Sequence, residues 1–186
     1  MVTEKQENIY IVITQTGTIL SRILKRITGA DYNHVSLGVS KELDVMYSFG
    51  RKNPYCAFWG GFVVESRHFG TFKRFKNTEA LVLELNVGEK RDEISKFVTE
   101  FESNKRKYHY NYLGLIFAYF KIFIKRKNYF YCSEFVRFVL EEFGINGAEK
   151  LPDIVQPMHF LNLPDIDTIY KGKLRDYTLV DTFEKI

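Results

Sequence analysis

The most constraining feature of the sequence is the stretch 128–144, NYFYCSEFVRFVLEEFG, in which a lone cysteine follows three aromatic residues and opens an apolar helical repeat. The apolar residues that share a helical face with Cys132 are Val136, Val139, Leu140 and Phe143. This spacing predicts an amphipathic helix that begins near Cys132 and ends before Gly144. The unpaired N–H groups at a helix start favour a thiolate, so a cysteine there can titrate well below roughly 8.5. The alternative is that Cys132 is a small buried apolar residue, as free cysteines usually are.

Length and composition predict one globular unit. The chain has 186 residues and a mass of 22.0 kDa, with 45% apolar and 16% aromatic residues, and its four prolines and 12 glycines leave no room for a long linker. We therefore expect a single domain spanning 1–186. The formal net charge is +4, and no nucleic-acid-binding module is recognisable, so nucleic acid is not an expected partner.

Targeting features favour a cytoplasmic protein. The first ten residues lack the apolar core of a signal peptide, and Cys56 and Cys132 do not make a disulfide framework. The apolar run 112–124 is interrupted by Lys121 and is shorter than the ~20 residues needed to cross a bilayer. Contact with a membrane surface is not expected, although basic clusters beside this run leave it open.

Strand and helix patterns follow one another without regular alternation, which predicts an α+β fold. Strands are expected at 8–14, 32–40, 45–49, 62–66 and 80–87, with a hairpin between the second and third and an edge strand in the tail 171–180. Helices are expected at 18–28, 88–105 and 113–123 as well as after Cys132, and 67–77 is expected to form a loop. The helix 113–123, with Asn111 as its cap, is apolar most of the way round, so we expect it to be buried or to cover a groove.

A reactive cysteine needs a base and a group that orients the base. Of the four histidines, His34 alone begins a clear strand pattern and lies on its polar side. Glu65 ends the apolar strand 62–66, which places a carboxylate near the same end of the sheet. A surface histidine and an ordinary edge carboxylate are the alternatives, and Tyr47, Ser48 and His68 are rivals to Glu65.

The order of these motifs resembles a known family. A strand, a helix with LSRIL spacing, the sequence NHVSL, and YCSEFV almost a hundred residues later resemble the permuted NlpC-type papain-like hydrolases of the YiiX-like group. FVVES around Glu65, the triplet Tyr110–Asn111–Tyr112 and IVQP at 154–157 extend the similarity over roughly residues 8 to 160. Asn111 stands where members of that family often carry an aspartate.

The resemblance implies a circularly permuted papain-like fold, an antiparallel sheet or partial barrel with the cysteine helix packed against it. It also implies a Cys132–His34–Glu65 triad that cleaves amide bonds in peptides or peptidoglycan-like fragments through a thioester. In such an enzyme the Cys132 backbone N–H would form part of an oxyanion hole. Tyr32, beside the histidine strand, is a further candidate for this role.

Two alternative functions stay open. Lecithin:retinol acyltransferase-like enzymes are related to the permuted family, so lipid acyl hydrolysis or transfer is the alternative among enzymes. A non-catalytic module that binds a peptide or a metal is the alternative from another class. Cys56, His34, His68 and Cys132 are possible metal ligands, but they lack the close paired spacing of a structural zinc site. No cofactor is expected.

Overall fold

The computed structural model describes residues 7–16, 31–53 and 59–179. The helix predicted at 18–28 and Cys56 lie outside these residues. Within them, strands and helices are mixed in the order expected for an α+β protein, and this prediction is confirmed.

Six strands form the main sheet, and they are β1 (Asn8–Gln15), β2 (His34–Gly38), β3 (Met46–Arg51), β4 (Gly60–Glu65), β5 (Glu79–Asn86) and β8 (Ile166–Lys173). Their order across the sheet is β4–β3–β2–β1–β5–β8, and every neighbouring pair is antiparallel. Two short strands, β6 (His109–Tyr110) and β7 (Tyr129–Phe130), form a separate parallel pair. The predicted hairpin is confirmed. The last strand of the chain does lie at the sheet edge, but it spans 166–173 and shares only residues 171–173 with the predicted range 171–180.

The sheet is covered on both faces. Ile9, Ile11 and Ile13 of β1 point into one apolar core, and Tyr10 and Val12 point into a second core on the opposite face. The alternation in β2 is the pattern of a half-buried strand with His34 and Ser36 on its polar side, but the strand is buried on both sides. Ser36 is as fully buried as its apolar neighbours, because the second core and the residues around it cover that face as well.

The four helices of the described chain are α1 (Gly70–Arg74), α2 (Arg91–Ser103), α3 (Tyr112–Tyr119) and α4 (Cys132–Glu142). Helix α1 lies inside the range expected to be a loop, with Phe72 packed in the second core. The helix predicted at 88–105 is a 3₁₀ turn at Gly88–Lys90 followed by α2.

Helix α3 differs most from its prediction. It ends at Tyr119 rather than at 123, and it is not buried. Leu113 and Ile116 are 51% and 55% exposed, and Phe120, just past its end, is 63% exposed. A helix that is apolar on all sides can be buried, but only where another element of the fold covers it. No helix in the described ranges is long and apolar enough to cross a membrane.

Helix α4 packs the first core against the half of the sheet formed by β2, β3 and β4. Its apolar face carries Phe135, Val136, Val139 and Leu140, all fully buried. The Phe135 ring lies 5.4 Å from the Phe49 ring of β3 and 5.6 Å from the Phe62 ring of β4. The cysteine helix therefore packs on an antiparallel sheet, as predicted.

We expect Phe135→Ala to lower the free energy of unfolding by about 3–5 kcal/mol, because it removes a buried ring and leaves a cavity between α4 and the sheet. Urea denaturation measures the loss. The control is Ile116→Ala on the exposed side of α3, which should change stability by less than about 0.5 kcal/mol. Similar losses in the two variants would contradict the packing described here.

Candidate active site

Cys132 is the first residue of α4, as the apolar repeat predicts, and it is only 8% exposed. The Glu134 carboxylate accepts a hydrogen bond from the Tyr131 N–H at 2.9 Å and so caps the first turn. Asn111 Nδ2 donates to the same carboxylate at 3.1 Å. Asn111 Oδ1 accepts from the Gly114 N–H at 3.0 Å, which is the predicted cap of α3. Asn111 thus joins the beginning of α3 to the turn that holds Cys132.

The strands β2 and β3 separate where Cys132 approaches them. Within the described residues they pair only at Leu37–Tyr47 and Gly38–Met46, whereas β2 pairs with β1 over all five of its residues. Beyond the ladder, the Val35 carbonyl accepts the Ser48 hydroxyl at 2.7 Å, and the Val35 N–H donates to the Cys132 sulfur. Side chains therefore bond two main-chain groups that a longer β2–β3 ladder would have paired.

His34 connects the cysteine to Glu65. Its Nε2 lies 3.0 Å from Glu65 Oε2 and 3.2 Å from Oε1, and the imidazole also forms a hydrogen bond with the Cys132 thiol group. Because Nε2 faces the carboxylate, Nδ1 is the ring nitrogen left for the sulfur. The Ser36 hydroxyl donates to Glu65 Oε2 at 2.6 Å. The structure thus brings the three residues predicted from sequence into one chain of contacts.

Burial and charge act against each other in this cluster. Burial disfavours the imidazolium of His34, but the charge of Glu65 and the contact with Cys132 outweigh it and raise the pKa of His34 to about 10. Burial also opposes ionisation of Glu65, yet the His34 charge and the bonds from His34 and Ser36 lower the pKa of that carboxyl. For Cys132, burial is outweighed by the hydrogen bond and charge of His34, helped by the Val35 N–H, and the thiol pKa is lowered. Each shift therefore favours the charged form of its group, which is the thiolate of Cys132, the imidazolium of His34 and the carboxylate of Glu65.

Tyr110 is a neighbour of Cys132 that reasoning from single residues missed. Burial and the negative charge of Cys132 raise the pKa of Tyr110, so its hydroxyl keeps its proton at neutral pH. Gly60 allows this arrangement, since a Cβ there would lie 2.8 Å from Tyr110 Cγ and 2.7 Å from the Tyr112 hydroxyl. The sequence signal was the triplet 110–112, which the family resemblance picked out but which no spacing rule explained.

The other residues considered as the orienting partner of His34 make different contacts. His68 is exposed and pairs with Asp44 at 3.1 Å, Tyr47 is buried in the first core, and Ser48 donates to the Val35 carbonyl. Tyr32 is half-buried against the first core, and its proposed part in an oxyanion hole stays a prediction. Across the described ranges, no three His, Cys, Asp or Glu side chains are grouped so as to hold a metal.

Ser36 and Gly50 are two further residues of the cluster to which the sequence reasoning gave no part in the site. Ser36 follows His34 by two positions on one strand, so period-two spacing was a usable signal for a shared face. Gly50 had no such signal, because its relevance depends on β3 passing beneath the imidazole. A Cβ at Gly50 would lie 3.4 Å from His34 Cε1 and 3.3 Å from Val63 Cγ2.

Comparison of this chain with protein-family models, with curated proteins and with solved structures finds no match.

We expect the rate at which Cys132 reacts with iodoacetamide, in a Cys56→Ser background, to change less between pH 7 and 9 than the rate of an ordinary thiol. The reason is that His34 lowers the pKa of the Cys132 thiol, whereas an ordinary thiol slows about tenfold for each pH unit below roughly 8.5. Glu65→Gln should lower the rate at pH 7 by about tenfold or more, because the carboxylate that raises the His34 pKa is lost. Mass spectrometry of the alkylated peptide measures the rate. The same protein in urea is the control, and matching pH profiles for folded and unfolded protein would contradict an activated thiol.

We expect Gly50→Val to lower the alkylation rate of Cys132 at pH 7 by about tenfold or more, because its side chain would displace the His34 ring. The matched control is Gly38→Ala, whose Cβ would be equally crowded, at 3.2 Å from Leu43 Cδ2, but away from the imidazole. That variant should lose stability and keep the rate. A normal rate in a folded Gly50→Val protein would show that the ring is free to move.

Proposed function

We propose that this protein is a cysteine hydrolase that cleaves amide bonds, in peptides or peptidoglycan-like fragments, through a thioester acyl-enzyme. The observation that carries the proposal is the double contact of His34, with Glu65 on one side and the Cys132 thiol on the other. A base that touches both a nucleophile and an orienting carboxylate is the arrangement that nucleophilic catalysis requires.

The cycle begins with the ion pair. The Cys132 thiolate attacks the carbonyl carbon of the amide, and the imidazolium of His34 gives its proton to the leaving nitrogen as the C–N bond breaks. The acyl group is then a thioester on Cys132. Water attacks this thioester, neutral His34 takes the proton of the water, and the thiolate leaves as the acid is formed. Glu65 keeps Nε2 occupied throughout, so that Nδ1 faces the reaction.

The oxyanion of each tetrahedral intermediate needs donors close to Cys132. The Cys132 backbone N–H, one of the unpaired groups of the first turn of α4, is the first donor in this proposal. The protonated hydroxyl of Tyr110 beside Cys132 is a second candidate, and Tyr32 is the candidate named from sequence. Loss of one such donor typically costs about 3–4 kcal/mol in the barrier.

The proposal includes a fold class and a location in the cell. The chain order is histidine strand, acidic strand and then cysteine helix, on an antiparallel sheet whose strands β2 and β3 lie against α4. This order supports a circularly permuted papain-like fold. The proposed reaction needs Cys132 as a free thiol, which suits a cytoplasmic location, where thiols are kept reduced.

Lipid acyl hydrolysis or transfer is the second candidate, and one observation favours it. Large apolar side chains of α3 and of the segment that follows it stand in solvent, and α3 is tied to the first turn of α4 through Asn111 and Glu134. An acyl lipid near this surface would be close to Cys132. The two candidates share their catalytic residues and differ in the leaving group, a nitrogen or an ester oxygen.

We expect Cys132→Ala and His34→Ala to abolish turnover, and Glu65→Gln to lower it by about 100-fold or more, because the imidazole loses its orienting partner. The measurement uses a panel of amide and lipid-ester acyl probes directed at thiols, with mass spectrometry to map the labelled residue. Thermal unfolding shows whether each variant remains folded.

Labelling of Cys132 by amide-type probes supports the first candidate, and labelling by lipid esters alone supports the second. Wild-type turnover in folded Cys132→Ala protein would remove this residue from the mechanism. A lack of labelling by every probe, in protein whose Cys132 still reacts with iodoacetamide, would favour a non-catalytic binding module.

A further inference from the structure

An apolar surface lies next to the candidate site without being part of it. We call it the α3 surface, and it consists of α3 and the residues that follow this helix. Its exposed large apolar side chains are between 41% and 63% exposed, and they are Leu113, Ile116, Phe120, Ile122 and Phe123. Five such side chains within eleven positions form a cluster rather than the scattered exposure that is normal on a protein surface.

The α3 surface lies in the most basic part of the chain. Between residues 104 and 133 there are seven lysines and arginines and not one aspartate or glutamate. They are Lys105, Arg106, Lys107, Lys121, Lys125, Arg126 and Lys127. Since the whole chain has 27 basic and 23 acidic residues, the rest of it carries a net negative charge. The positive charge of this protein is therefore concentrated where its apolar side chains are exposed.

The fold brings two basic runs of this segment together. The tripeptide KRK occurs at 105–107 and again at 125–127, and each copy ends two residues before a strand of the β6–β7 pair. The two strands are parallel, with His109 opposite Tyr129, and the His109 N–H donates to the Asn128 carbonyl at 2.9 Å. Parallel pairing places equivalent ends side by side, so the two KRK runs lie at the same end of the strand pair.

Most of these cations point into solvent. Lys121, Lys125 and Lys127 are exposed, as are Lys105 and Lys107. Arg126 is held differently, with its guanidinium 3.7 Å from the centroid of the Tyr129 ring. The apolar residues 120, 122 and 123 lie next to Lys121 in the chain, so a partner that covers them also meets positive charge.

We propose that the α3 surface docks onto the face of an anionic lipid bilayer. Its apolar side chains would enter the boundary between headgroups and acyl chains, while the two KRK runs and Lys121 meet the anionic headgroups. A nucleic acid would satisfy the charge but leave Leu113, Ile116 and Ile122 in water, because aliphatic side chains do not stack on bases as aromatic rings do. An anionic bilayer would accommodate both the apolar side chains and the basic residues of the α3 surface.

Docking also orients the molecule. Asn111 begins α3 and bonds to Glu134 in the first turn of α4, so the end of α4 that carries Cys132 would be held near the lipid. The docking proposal does not depend on Cys132 being a nucleophile. Docking would, however, give the lipid acyl candidate a route to its substrate.

The test is flotation of the full chain with vesicles of phosphatidylcholine alone and of phosphatidylcholine with about 30% phosphatidylserine. Wild-type protein should float with the anionic vesicles at 0.1 M salt, and its partition coefficient should fall by about tenfold or more at 0.5 M salt and on neutral vesicles. Ile116→Ser combined with Phe120→Ser should lower partition to anionic vesicles by about tenfold or more. Lys125→Gln combined with Lys127→Gln should do the same.

Matched controls come from α1, whose Phe72 packs on the other face of the sheet from α4. Phe69→Ser, and Lys73→Gln combined with Lys76→Gln, remove an exposed ring and two exposed lysines within α1 or within two residues of it, and should leave partition unchanged. Cys132→Ser should also leave it unchanged, which separates docking from catalysis. Thermal unfolding checks that every variant is folded.

Four outcomes would overturn the proposal. The first is no flotation with anionic vesicles, and the second is equal loss in the α1 controls. The third is binding to a nucleic acid probe with no binding to vesicles. The fourth is a dimer of the free protein that Ile116→Ser with Phe120→Ser dissociates, which would assign the α3 surface to a second copy of the chain.

Discussion

Val35 shows how the sheet and the candidate site depend on one another. Its N–H and C=O lie past the end of the short β2–β3 ladder, and a buried main-chain group without a partner costs about 1–3 kcal/mol. The Cys132 sulfur and the Ser48 hydroxyl supply those partners. The first residue of α4 thus lies where β2 and β3 separate, and its sulfur accepts a main-chain hydrogen bond that the separation would otherwise leave unmade. The separation of the two strands and the position of α4 therefore depend on each other.

The electrostatics of the site follow from that geometry. His34 and Glu65 are less than one-fifth exposed and Cys132 less than one-tenth, so each charge is favourable only because another charge or donor faces it. Ser36 bonds to Glu65, Glu65 to His34, and His34 to Cys132. The main-chain N–H of Val35 faces the far end of this series. A site of this kind favours the thiolate of Cys132, and the lowered pKa of the thiol depends on every member of the series.

Parts of the fold and site were accessible to sequence reasoning because they have local causes. Alternation and β-branched residues located the first five strands of the main sheet to within a few positions, and the apolar repeat located α4 and its first residue. Asn111 was identified as a cap for the same reason, since a cap acts within its own turn. The contact between His34 and Glu65 followed less directly, from two strand ends expected on one sheet. The errors arose where burial depends on segments that are distant in the sequence. The polar side of β2 is covered by other parts of the fold, and α3 is exposed rather than buried.

The amino-acid sequence alone determined five strands of the main sheet, the position of α2 and the start of α4 at a cysteine, because these depend on periodicity and on interactions within a few residues. Tertiary structure alone decided that β2 and β3 part at Val35, that Gly50 leaves room for the imidazole, and that Glu65 rather than Tyr47, Ser48 or His68 meets His34. It also decided that two KRK runs about twenty residues apart lie at one end of a strand pair. The physical reason is the same in each case. A residue's own chemistry is fixed by its side chain, but its partners are chosen by how distant segments pack.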